Sequence, residues 1–397
     1  MNTFRSRCSR FSRDGFFRAR TLPALFAVSV LPLVARATSP LYYWDPGASG
    51  ANPGSGGAGN WDLSSSVWNP QNLGGDVVWP NLSADRAEFA GTAGTVTVTT
   101  PITVAGLIFG TTGYTLTGAN AVSVGFFGID CSALSSGTTT ISAPITLTTS
   151  SQSVNVASGA TLSISGSLGG SEAISLPGAG TVILGGNNNY SGGTTVNAGN
   201  LRLTNSSGSA IGGGALNVSG ATATVSGTGT ASGGLATFAS SAIIAPGINS
   251  TGAGGNFGSA GTLTLGAGAG GLTLTNADFD FDLANTSTVG SGVNDLLDTS
   301  GTLTFGTLAF TFDELSGSLL TGTPYTLIAG ATSESGFNTS NISTTFNGVT
   351  YTPTYTFDTT NGLRVTFGPV PEPPAWLLAG MGLILAVMRF GRKGLRT

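Results

Sequence analysis

The sequence predicts an all-β chain whose central part is a right-handed parallel β-helix, a stack of short coils. From Gly94 onward, β-branched or apolar residues alternate with small polar ones, as in Thr95-Val96-Thr97-Val98-Thr99 and Thr161-Leu162-Ser163-Ile164-Ser165. Period two marks strands with one buried face, and no helical periodicity interrupts it. Glycine and asparagine punctuate these runs, with 63 glycines in 397 residues, and both tolerate the positive φ of tight corners. Gly-Thr followed by an alternating run recurs at Gly94, Gly137, Gly180, Gly261 and Gly301. These spacings imply a period of about 40 residues, or two coils of about 20, which signals stacked units that bury a core only jointly. A propeller would carry recurrent aromatics in each unit, and these repeats have almost none.

The N-terminal segment 1–37 reads as a secretory signal peptide. Arg5, Arg7, Arg10, Arg13, Arg18 and Arg20 precede the apolar run 22–34, and Ala35-Arg36-Ala37 supplies an A-x-A cleavage site at Ala35 and Ala37. Signal peptidase is therefore an expected partner. Residues 38–93 differ from the coil region, because Trp44, Trp61, Trp68 and Trp79 are four of the chain's five tryptophans. A solenoid needs an atypical end unit to cover its open core, and aromatic bulk suits that role. The alternative is a glycan-stacking platform made by the same four rings. Residues 94–368 form the coil region.

Composition excludes whole classes of function. Between the two ends only Arg86, Arg202 and Arg364 are basic, against 16 acids, for a formal charge of −13 and no lysine. Nucleic acid is therefore not an expected partner, since phosphate neutralisation needs clustered cations. Histidine is absent, which removes the commonest metal ligand and general base together. Cys8 lies in the leader and Cys131 stands alone beyond it, so no internal disulfide is expected and Cys131 reads as a small core residue. No cofactor and no metal is called for. The sharpest acidic cluster is Asp278, Asp280 and Asp282, which alternation places on one strand face opposite Phe279 and Phe281. That face offers oxygen for a cation, although six to eight oxygens are needed for calcium. An enzyme acting on polysaccharide would need a convergent acid pair; Asp76, Asp85, Asp130, Asp313 and Asp358 each read as turn residues instead, so no catalytic residue is assigned.

The last residues, 369–397, combine Val370-Pro371-Glu372-Pro373, an apolar run at 375–388 and the basic end 389–397 with Arg389, Arg392, Lys393 and Arg396. This order resembles the PEP-CTERM sorting tail of Gram-negative bacteria. The resemblance implies an exosortase-type sorting enzyme as partner, transient residence in the inner membrane and an association with exopolysaccharide. The prolines place a helix start after them, and the basic end favours a cytoplasmic C-terminus. A 14-residue run is short for a span of about 20 residues.

A second resemblance covers 180–203. Gly180-Thr181-Val182-Ile183-Leu184, then Asn187-Asn188-Asn189-Tyr190, Gly192-Gly193 and Leu201-Arg202-Leu203 resemble the autotransporter-associated β-strand repeat of bacterial surface passengers. On this reading Val182, Ile183 and Leu184 pack inward, Tyr190 caps a corner, and Leu201 and Leu203 point together. No barrel-forming region is recognised after Gly368, so sorting by the tail takes its place. The expected product is an exported, non-enzymatic protein of the cell surface or extracellular matrix. The alternatives are a carbohydrate- or calcium-dependent adhesin and, behind it, a polysaccharide lyase or hydrolase.

Overall fold

The computed structural model describes residues 39–369, except 48–49, 51–53, 72–73, 150, 240, 249–258, 267–269, 291 and 316–317. The leader with Ala35 and Ala37, and the tail with its motif 370–373, apolar run and basic end, lie outside the described residues. The described part is all-β, with one 3-10 turn at Thr339–Asn341. No helix among the described residues is long and apolar enough to cross a membrane.

Most strands pair in parallel, each with the strand one coil earlier and one coil later. One ladder runs Leu162, Val182, Leu201, Val225, Ile244, Phe279, Phe310 and Thr344, every neighbouring pair in direct register. From Leu162 to Phe310 all these side chains are buried at 0–4% exposure. In-register stacking arises from the pattern: a slip of one residue would turn the whole apolar set outward and bring Thr161, Ser163 and their counterparts inward. Each coil contributes two further segments. One passes through Ile145, Leu168 and their successors, and the other through Ile174, Thr194, Leu216, Ala236 and Leu272. The three segments enclose one continuous core, the β-helix-like arrangement that no single coil could bury alone.

The coil length changes along the chain. Leu162 to Ile244 advances by 19–24 residues per coil, whereas Ile244 to Thr344 advances by 31–35. Gly94 and Gly180 accordingly precede, and Gly137 begins, strands of the same ladder two coils apart, as the spacing predicts. Gly261 and Gly301 do not. The first precedes Thr262–Leu265 in a different ladder and the second lies in the strand Leu296–Glu314, so the later spacings reflect insertions rather than a continued period. The insertion after Leu283 is held locally by Asn294, whose amide donates to the carbonyls of Thr286 and Thr288 at 2.7 Å. Asp295, 1% exposed, accepts the N–H groups of Gly261 and Asp282, both at 2.8 Å.

Both ends depart from parallel pairing. At the start, Leu41–Trp44 pairs antiparallel with Trp68–Pro70 and parallel with Arg86–Phe89, which carries the chain into the ladders. At the end, the region expected to be parallel to residue 368 closes instead with antiparallel strands: Gly362–Gly368 pairs with both Thr352–Asp358 and Pro324–Ser335. A tight turn makes this hairpin. The Asp358 carboxylate accepts the N–H of Thr360 at 3.0 Å and of Asn361 at 2.7 Å, and Arg364 lies 3.0 Å from it. The Asn361 side-chain amide, which also donates to it, and then these backbone N–H groups hold the exposed Asp358 carboxyl below its usual range.

Candidate interaction surface

The repeat at 180–203 shows how the sequence builds the surface. In Thr181–Leu184, Val182 and Leu184 face the core while Ile183 is half-exposed, so the expectation that all three pack inward fails at Ile183, as strict alternation requires. Leu201 and Leu203 are both fully buried. Gly199 turns the corner between the strands Thr194–Val196 and Asn200–Leu203 with φ +70, and a Cβ there would run into the backbone of the preceding coil at Gly180. Tyr190 is fully buried inside the coil, its hydroxyl 2.5 Å from that of Thr194, and burial pushes its pKa up. Asn188 replaces an apolar residue on an inward position. Its Oδ1 accepts the Leu168 N–H at 2.8 Å and its Nδ2 donates to the Ala210 carbonyl at 2.5 Å, so one amide ties three coils together. On the outside Asn197 does likewise, donating to the Ser175 hydroxyl at 3.1 Å and accepting from that of Ser219 at 3.4 Å.

Two outward features stand above this plain surface of threonine and serine. A cavity of about 530 Å³ lies against Gly159, Thr161, Gly180, Thr181, Arg202 and Ile248. Arg202 is the basic group there, and burial lowers its pKa. The second feature is an aromatic knob that alternation alone does not reveal. Strand Val122–Cys131 tracks Ile102–Phe109 in register until Val104 meets Val124, then resumes with Gly106 opposite Gly128. The two extra residues bulge outward as Phe126, 71% exposed, and Phe127, 41% exposed. Their rings meet edge to face at 5.4 Å, and the Arg86 guanidinium sits 5.0 Å over the Phe127 ring. Glu88 lies on the same strand as Arg86, and burial raises its pKa, with the Arg86 charge opposing and the Asp130 charge adding to the rise. Gly125-Phe126-Phe127-Gly128 is the signal in the sequence: two adjacent large apolar residues break period two between glycines.

The other residues singled out fall elsewhere. Trp44, Trp61, Trp68 and Trp79 are 0–2% exposed and packed face and edge against one another and Phe89, with centroids 4.8–5.7 Å apart around Trp68. Burial removes these four rings from any surface role in stacking on sugars. Asp278 and Asp280 are half-buried and Asp282 is 5% exposed, while Phe279 and Phe281 face inward as alternation requires. Successive carboxylates on one strand face are about 6.6 Å apart. The three do not close on a cation, and among the described residues no three or more His, Cys, Asp or Glu side chains group to hold a metal. Cys131 is fully buried, its thiol pushed up to about 12 by burial first and the Asp130 charge second. Asp313 is not a turn residue: it sits inside the strand Leu296–Glu314 at 3% exposure.

Residues 178–203 match the family model of the passenger-associated transport repeat. The chain carries passenger-like repeats. A stretch of 213 residues, 52% of this chain, is 34% identical to the adhesin BmaC autotransporter of Brucella suis biovar 1 (strain 1330). That stretch spans 5% of the length of the relative. The matched repeat contains Asn188, Tyr190, Gly199, Leu201 and Leu203, the residues that set the corner, the core and the tie between coils.

Proposed function

We propose that this chain is an exported, non-enzymatic display protein of the bacterial cell surface or its matrix, built as a right-handed parallel β-helix with an aromatic N-terminal cap. The observation that carries this reading is the unbroken in-register ladder from Leu162 to Thr344 with a passenger-type repeat inside it. Such a stack presents a repetitive outer face and needs no reactive side chain. Signal peptidase removes the leader, an exosortase-type enzyme reads Val370-Pro371-Glu372-Pro373, and the basic end stays cytoplasmic until then; exopolysaccharide is the expected surrounding. Protease shaving of intact cells tests the location: the protein should be lost from shaved cells, and full protection would overturn the reading. Mass spectrometry tests the tail, with mature termini expected near 370–373; intact tails on all extracellular protein would reject processing.

An adhesin is the second reading, favoured by the solvent-facing Phe126 and Phe127 and by the relative named as an adhesin. Phe126→Ser should reduce binding of the purified protein to its target cells at least severalfold. Because the ring is mostly exposed, the same change should alter unfolding free energy by no more than about 0.5 kcal/mol. Unchanged cell binding in this variant would remove the knob from the adhesive surface.

A further inference from the structure

Asparagine stands directly before glycine at two places, Asn347-Gly348 and Asn361-Gly362, and the fold treats the two pairs differently. Such a pair is chemically special, because glycine has no Cβ to shield its nitrogen and an asparagine side chain reaches the neighbouring backbone. At Asn361 both reacting groups are held. Its Nδ2 donates to the two Asp358 carboxylate oxygens at 2.9 and 3.0 Å, and its own N–H donates to Oδ1 at 2.7 Å. Gly362 is buried in the strand Gly362–Gly368, where it pairs with Asp358. At Asn347, by contrast, the side-chain Nδ2 is buried without a hydrogen-bond partner, and Gly348 is exposed just past the end of the strand Ile342–Asn347. A carboxylate stands close as well: a Cβ added to Gly348 would lie 3.3 Å from the Glu314 carboxyl carbon, and the Glu314 Oε1 is buried without a hydrogen-bond partner. An unheld amide, an exposed glycine and a carboxylate thus meet at one peptide bond.

We propose that Asn347-Gly348 is a site of self-modification, at which the chain converts Asn347 into aspartate and isoaspartate with Glu314 as the base. The Glu314 carboxylate takes the Gly348 N–H proton, directly or through one water. The Gly348 nitrogen then bonds to the Asn347 side-chain carbonyl carbon, closing a five-membered imide. The bond from that carbon to Nδ2 breaks, the proton passes to Nδ2, and ammonia leaves. Water opens the imide at either carbonyl, giving aspartate or isoaspartate; the net change consumes one water and releases one ammonia. Either product places a new carboxylate in register with Asp313 at the last rung of the ladder, and isoaspartate also adds a carbon to the main chain there. Phe346, the neighbouring residue, packs against Tyr351 and Phe367, so the change loosens the cover over the C-terminal end of the core. The inference rests on the fold and on neither the display nor the adhesive reading.

Peptide mass spectrometry of the full-length protein, incubated for days in mildly alkaline buffer with and without denaturant, tests the site. In the folded protein the peptide with Asn347 should gain the mass of an amide NH2 exchanged for OH, as a mixture of aspartate and isoaspartate, at least severalfold faster than the peptide with Asn361. In denaturant the two peptides should react at similar rates, since both carry asparagine before glycine. Glu314→Gln should slow the folded reaction at Asn347 severalfold, and Asn347→Gln, whose ring closure needs one more carbon, should nearly abolish it. Equal rates at the two asparagines in the folded protein would overturn the site, as would a folded protein unmodified at Asn347 while the denatured chain reacts there. Should Glu314→Gln fold and react as fast as the wild type, the assisted reaction is overturned; should it fail to fold, the wild-type comparison of folded and denatured chains still decides.

Discussion

Trp68→Ala is expected to lower the unfolding free energy by about 3–5 kcal/mol, the range for deleting a buried aromatic ring. Trp68 is fully buried and sits at the centre of its cluster, with Trp61 and Trp79 at 4.8 Å, Trp44 at 5.1 Å and Phe89 at 5.7 Å. Its indole N–H has no hydrogen-bond partner, so the loss is one of packing and not of a polar contact. Five large rings share the space, and none can swing in to fill a hole of that size without leaving another. Since each coil leans only on its neighbours, the damage should begin at the N-terminal end. Hydrogen exchange should quicken in Leu41–Trp44 and Arg86–Phe89 before Asn200–Leu203. A denaturant midpoint equal to that of the wild type would show that the cluster does not cover the core end.

The second large effect is expected at Asn188. Asn188→Ala strips the partners from the buried Leu168 N–H and the Ala210 carbonyl at once. Each orphaned group costs about 1–3 kcal/mol, so a loss of about 2–6 kcal/mol is expected. Asn188→Asp is more informative. A carboxylate still accepts from Leu168 but cannot donate to Ala210, and its charge is buried at a position only 4% exposed. Burial would raise the folded-state pKa of the new carboxyl above the value of about 3.9 it has when unfolded. Its destabilisation should therefore be small below pH about 4 and grow as pH rises towards the folded-state pKa. Chemical denaturation of the two variants at acidic and neutral pH checks this. The same stability deficit at both pH values for Asn188→Asp would contradict the buried tie.

The sequence carries the coils well where coils are short. From Thr95 to Ile244 the alternation, the glycine corners and the two-coil period describe one lattice, because nearly every inward position there takes an apolar or small residue. Past Ile244 that signal misleads. Gly-Thr at 261 and 301 repeats the words of the earlier corners, but insertions shift them into other ladders, and pairing over tens of residues is invisible to local pattern. Asn188 has no distinguishing mark in a chain this rich in asparagine, since period two gives the inward position without saying that a polar residue there has two backbone partners. Asp313 reads as a loop acid because nothing in Phe312-Asp313-Glu314 reveals that the strand continues and is covered. The knob at Phe126 and Phe127 escapes local reading because a bulge is a relation between two strands. The tryptophans illustrate the reverse case: large rings concentrated in one segment are compatible with both a surface and an interior, and only burial separates them.

The register of the ladders has an evolutionary consequence. A unit of about 20 residues whose ends lie one strand spacing apart, about 4.8 Å, can be duplicated or deleted whole while the rungs on either side meet the same kind of neighbour as before. Reach can thus be adjusted by copying, one rung at a time, without redesigning a core, and point changes on the outer threonines can alter what a partner meets while the inner leucines stay fixed.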